Sequence, residues 1–233
     1  MSYLLETGIL LNGQRLPGTD WILRDSRAWF AADDADAPPR RHWPVTTVTY
    51  HWTGGAAKVG PEAGRDVVRN MKARKRDDGS LMSVSCHFVV SWDGMVFQVA
   101  DLARMTIHAG RVLNRDGIGV EQCWPGYEGQ MLKLGGNGGV QRRLVNGSRV
   151  DCMMPSPLML EASMRLAETL ASLPSSTRIA VPRVVAPQRR LRPAEAAAFR
   201  GACEHASSPG SGKLDCAWYV TDALAANGWQ RAV

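Results

Sequence analysis

Chemistry in this sequence rests on five histidines and a few carboxylates at the ends of apolar segments. His51 closes a β-branched and aromatic run, residues 45–51, and precedes Thr53-Gly54-Gly55. Such a run reads as a strand, and a side chain at a strand end can project into a cleft. A lone histidine is more often a core or turn residue, and that alternative stands beside the functional one. The segment from His205 to Cys216 places His205, Lys213 and Asp215 in one loop rich in Gly, Ser and Pro. A loop of this kind can fold back so that imidazole and carboxylate meet one cation. Zinc in hydrolases takes three nitrogen or oxygen ligands and keeps a fourth position for water. The alternative is a solvated surface loop. Glu121 ends the apolar run Gly117-Ile118-Gly119-Val120, where a carboxylate is costly unless it is paired or functional. It is either a general base or a strand-end glutamate reaching solvent. His87 and His108, taken singly, suit structural roles as well as catalytic ones, and His42 lies in a loop with no chemical partner in sequence.

The elements that must position these groups are readable from periodicity and punctuation. Residues 1–44 form an N-terminal extension packed on the core, with a turn-rich start and a Pro- and Asp-rich loop at 31–41. Residues 60–76 read as a helix with Pro61 near its start, a short apolar face of Val67, Val68 and Met71, and cations at its end. Two apolar runs flank Trp92-Asp93-Gly94, a hairpin signal. A short strand over 117–124 follows an Asn-Arg-Asp-Gly turn. Residues 125–155, rich in glycine, read as an inserted loop or hairpin able to wall a cleft. Residues 156–174 are an amphipathic helix with Ser156 as N-cap and Pro157 in the first turn. An edge strand over 178–186, a short helix over 192–200, a brief strand ending at His205 and a last helix with a glycine stop complete the chain. Helices interspersed with strands and hairpins predict an α/β fold, a central mixed β-sheet flanked by helices. Residues 45–233 would form the catalytic domain.

Bulk properties narrow the partner. A chain of 233 residues with 45% hydrophobic composition can bury one sizeable core. A formal charge of +6 suits an anionic partner without choosing one. The basic residues are scattered and form no nucleic-acid-binding motif, so no nucleic acid is expected. Five irregularly spaced cysteines with no C-x-x-C pair argue against a disulfide framework and for folding where thiols stay reduced. No secretory signal and no membrane span are read, so the protein is expected to be made in the cytoplasm and to act as a monomer.

Taken in order, these segments resemble the type 2 N-acetylmuramoyl-L-alanine amidase family, which includes peptidoglycan recognition proteins and phage lysins. The resemblance runs from about residue 45 to 224 and is poor between roughly 125 and 200. It is carried by His51-Trp52-Thr53, by Ser85-Cys86-His87-Phe88 running to Asp93-Gly94, by His108-Ala109-Gly110, by Asn114 leading into Ile118-Gly119-Val120-Glu121, and by His205 with Pro209-Gly210, Lys213 and Asp215.

The resemblance implies an amidase-like fold and a zinc-dependent enzyme. Its substrate would be the amide between the lactyl group of N-acetylmuramic acid and L-alanine in peptidoglycan. It implies His51, His205 and Asp215 as zinc ligands, Glu121 as catalytic base and Lys213 as the charge facing the oxyanion. His87, His108 and Asn114 would contact substrate. Some members carry a tyrosine before the strand histidine where this chain has Cys86, which moves the catalytic role toward Glu121. Cys216 replaces the usual proline beside the last ligand and is a competing thiolate; Ile107 replaces a common tryptophan. The expected role is a phage or prophage endolysin acting on the wall after release. A cytosolic anhydro-muropeptide recycling amidase and a non-catalytic peptidoglycan-binding module are the alternatives.

Overall fold

The computed structural model describes residues 5–30, 37–55, 57–126, 139–209 and 218–233. The run ending near His51 is β5 (Thr47–Trp52), buried along its whole length. It lies inside a nine-stranded mixed sheet. From one edge the order is β1 (Glu6–Thr7), β4 (Ile22–Arg24), β7 (Val96–Gln98), β6 (Phe88–Val90), β8 (Gly117–Gln122), β5, β12 (Gly201–Glu204), β11 (Val184–Val185) and β13 (Gln230–Arg231). Only β1 with β4 and β6 with β7 pair antiparallel; the other neighbours are parallel. Parallel strands with both faces covered read as continuous apolar runs, and Val48, Val89, Val90, Ile118, Val120 and Ala202 supply them.

Among the described residues, five helices cover the sheet: α1 (Pro61–Lys72), α2 (Gly110–Asp116), α3 (Pro157–Ala171), α4 (Pro193–Ala198) and α5 (Tyr219–Ala226). On one face, α3 and α5 join Val48, Tyr50, Trp52, Val120 and Trp124 in a single large apolar cluster. The Tyr50 hydroxyl donates to the Ser163 carbonyl at 2.9 Å and ties β5 to α3. Ser156 caps α3 as expected, accepting the Met159 amide at 3.1 Å. The other face is divided. Ala63, Val67, Val68 and Met71 of α1 pack on Cys86, Val89, Phe97 and Cys123. Separately, Leu113 of α2 packs with Leu191, Ala196, Phe199 and Cys203.

Several elements depart from expectation. Helix α1 stops at Lys72 rather than running to Arg76. Beyond it the chain doubles back: Gly79 turns it at φ +82°, the Asp78 carboxylate accepts the Ser80 amide, and Lys75 bridges Leu81. The Asn-Arg-Asp segment predicted as a turn is the end of α2. Strand β11 is interior, because the chain terminus adds β13 outside it. Residues 6–24 contribute β1 and β4 to the sheet plus a small hairpin, β2 (Leu10–Leu11) with β3 (Gln14–Arg15). Within the glycine-rich insertion, β9 (Val140–Val145) pairs antiparallel with β10 (Ser148–Met153). Cys86, Cys123, Cys152 and Cys203 are buried free thiols. Among the described residues no helix is long and apolar enough to cross a membrane.

Candidate active site

Three adjacent parallel strands, β8, β5 and β12, end at the same edge of the sheet, the edge at which α/β sheets form binding crevices. Register brings the chemical groups together there. His51 of β5 lies directly opposite Glu121 of β8, and Tyr50 opposite Glu204, so His205 follows beside His51. Paired residues on parallel strands face the same side. His51 and Glu121 therefore turn toward the divided face, into the gap between its two apolar clusters. A cleft of about 590 Å³ opens there. His51, His108, Glu121 and His205 line it at the sheet; Asp66, Asn70 and Arg74 line it beside α1. Lys58, also in its wall, bridges Asp66 at 3.1 Å.

The histidines are in direct contact. His51 Nδ1 is 3.0 Å from His205 Nδ1, and His51 Nε2 is 3.0 Å from His108 Nδ1. His51 is only 2% exposed and Glu121 7%. Two imidazole nitrogens facing each other at that separation are close to the edge of a tetrahedron about one cation, roughly 3.3 Å for metal–nitrogen bonds of about 2.0–2.1 Å. The His51–His205 pair thus fits a small divalent ion. Among the described residues no group of three or more His, Cys, Asp or Glu could hold one. Asp215 and Lys213, expected beside this pair, lie outside the described residues, as does Cys216.

The remaining predicted contacts are placed differently. His87 does not line the cleft. It is 0% exposed, and its Nδ1 accepts the Gly119 amide at 3.1 Å with the Thr106 hydroxyl 2.9 Å away. Its Nε2 then carries the proton and lies 3.0 Å from the Arg104 carbonyl. Burial, with the Arg40 guanidinium beside it, holds this imidazole well below the usual histidine range. His87 therefore packs beneath the site as a neutral brace. Asn114 is also turned inward: its Oδ1 accepts the amides of His108 at 2.9 Å and Ala109 at 2.7 Å. Burial pulls His108 down to about 3, with His205 and Arg40 adding to the effect. The 140–153 hairpin does not line the cleft either; it packs toward α5, where Arg143 bridges Asp222 and lies over the Tyr219 ring.

Three supporting groups escaped sequence reading. Arg40, in the proline-rich loop, reaches under the site and donates to the carbonyls of Leu102, Arg115 and Gly117. Burial brings its pKa to about 10. Glu204 is fully buried and accepts the amides of Trp218, Val220 and Thr221, so it anchors the start of α5 beside His205. Burial pushes its carboxyl up to about 8. No sequence pattern marks Ser208, yet its hydroxyl donates to the Ala109 carbonyl at 2.7 Å and its amide to the His205 carbonyl at 2.8 Å. The only local signals for these were charge and hydroxyl placement next to predicted site segments.

A family model described as N-acetylmuramoyl-L-alanine amidase matches residues 41–193. Among solved structures, the chain is similar to Apis mellifera PGRP-SA, at 12% identity, 91% of this chain and 98% of that one, with a TM-score of 0.53. It is similar to peptidoglycan recognition protein-LE, solved in complex with tracheal cytotoxin, at 10% identity, 90% and 95% coverage and a TM-score of 0.53. The endolysin amidase LysCS from Clostridium intestinale URNW gives 11% identity, 88% and 93% coverage and a TM-score of 0.47. At these identities the two recognition proteins speak for the fold. No curated protein matches the sequence.

Proposed function

The chain belongs to the N-acetylmuramoyl-L-alanine amidase family, and on that footing we propose that it is a zinc-dependent hydrolase of the amide joining the lactyl group of N-acetylmuramic acid to L-alanine in peptidoglycan. The observation that carries this reading is the His51–His205 nitrogen pair at 3.0 Å, with Glu121 on the next strand in the same register. Zinc, when bound, supplies an acidified water and a Lewis acid for the scissile carbonyl. His51 and His205 would hold the ion, with Asp215 as the third ligand in this reading. Glu121 takes the proton of the attacking water and returns it to the leaving amine, which departs only when protonated. In this reading Lys213 supplies positive charge to the oxyanion that develops on the carbonyl. Asn70, Arg74 and Lys58 offer polar contacts to a peptide lying along α1.

Chelation should abolish release of L-alanine-headed peptides from muropeptides, and added zinc should restore it. Activity that survives complete metal removal would end the metallo-hydrolase reading. Glu121→Gln should keep zinc and lose about 10²–10⁴-fold in turnover; near-normal turnover would return the base role to another group. Running the assay on intact sacculi and on soluble anhydro-muropeptides separates a lysin from a recycling enzyme.

A further inference from the structure

His51 presents its two ring nitrogens to different partners. Nδ1 faces His205, and Nε2, on the opposite edge, faces His108. One ion cannot reach all three rings, so His108 is not an additional ligand. To face a cation, Nδ1 of His51 must offer its lone pair, which leaves the ring proton on Nε2. That N–H then donates to His108 Nδ1 at 3.0 Å, across rings set edge-on at 89°. The His108 proton is left on Nε2, which is buried and meets no acceptor among the described residues. An orphaned buried N–H is unfavourable. The surroundings nevertheless hold the ring in this pose. A Cβ on Gly119 would come within 2.7 Å of the His108 ring, so the strand backbone is kept bare to admit it. Asn114 clasps the amides of residues 108 and 109, and Ser208 joins the Ala109 carbonyl to the His205 turn.

We propose that His108 is a positioning residue that fixes the tautomer and aim of His51, with Asn114 and Ser208 bracing the loop that carries it. This role rests on the zinc reading above, and it replaces a direct substrate contact for His108 and Asn114. Metal-ligating histidines depend on such an outer partner, whose loss typically weakens metal binding by about 10- to 100-fold.

The test is zinc affinity of the full chain, measured by competition with a chromophoric chelator, together with long-range ¹H–¹⁵N spectra of the His51 ring. His108→Ala should weaken zinc by about 10- to 100-fold, with KM at saturating zinc unchanged and the Nε2–H form of His51 no longer dominant. His108→Asn, which keeps an acceptor near the Nδ1 position, should recover most of the loss. Unchanged zinc affinity with a raised KM in His108→Ala would overturn the proposal in favour of substrate contact. If that variant does not fold, His108→Gln takes its place. Its longer side chain carries the acceptor past the Nδ1 position, so it should bind zinc more weakly than His108→Asn; equal affinities would overturn the role. A wild-type chain that binds no zinc would bring down the metal reading and this role with it, whereas zinc bound equally by wild type and His108→Ala removes the positioning role alone.

Discussion

The two faces of the sheet are built differently. Under α3 and α5 the apolar side chains of β5, β8 and β12 merge into one cluster with no break. On the opposite face the apolar contacts separate into an α1 group and an α2–α4 group, and the polar ends of β5 and β8 emerge between them. One surface thus closes the fold, while the other leaves a slot in it. The buried strand that supplies Val48 and Tyr50 to the first also delivers His51 to the second, because alternate residues of a strand point to opposite sides.

This contrast can be broken from the closed side first. Leu166 is fully buried in α3; Leu166→Ala should lower unfolding free energy by about 3 kcal/mol, measured by denaturant titration, and leave zinc affinity of the folded protein unchanged. A parallel fall in zinc affinity would show that the two faces are not separable. A smaller effect is expected at the outer half of the divided face. There the nearly buried Asp25 binds Arg27 within the N-terminal segment and Arg65 of α1, and the Arg65 bridge links that segment to the helix. The hydrogen bonds from Arg27, and then Arg65, hold its carboxyl well below the usual carboxylate range. Because the folded pKa is depressed, this contribution is complete above the unfolded value near pH ~4 and is lost as pH falls below it. Asp25→Asn should cost about 2 kcal/mol at neutral pH and flatten the decline of stability on acidification; an unaltered acid limb would show that the clamp does not stabilise the fold. The smallest effect sharpens the comparison at a helix end. Ser156→Ala should cost about 1 kcal/mol through the lost cap, read as a small drop in melting temperature with no change in turnover.

Much of the site was legible because strand ends and turn residues announce themselves locally. His51 at the close of a β-branched run, Glu121 after Ile118-Gly119-Val120 and His205 after a brief strand all stand where expected, since alternation and punctuation fix where a strand stops. Their adjacency was not readable: the order β8-β5-β12 joins segments far apart in the chain, and no local pattern encodes it. The misplacements share a cause. Asn114 and His87 were singled out for their chemistry, but a polar side chain in a packed region satisfies whichever backbone groups are nearest, and those partners belong to other segments. The α2 helix escaped for a related reason. Seven residues ending in Asn-Arg-Asp, with Gly117 next, look like a turn in isolation and become helical through packing of Leu113 against Leu191 and Phe199.

The sheet is long across but its margins are slight. Its outermost described strands, Glu6–Thr7 and Gln230–Arg231, are two residues each, one carrying an acidic and the other a basic side chain. A stray chain seeking to extend the ladder would find a template too short to register on, flanked by charge that must be desolvated. An edge this short and charged guards the nine described strands against edge-to-edge pairing.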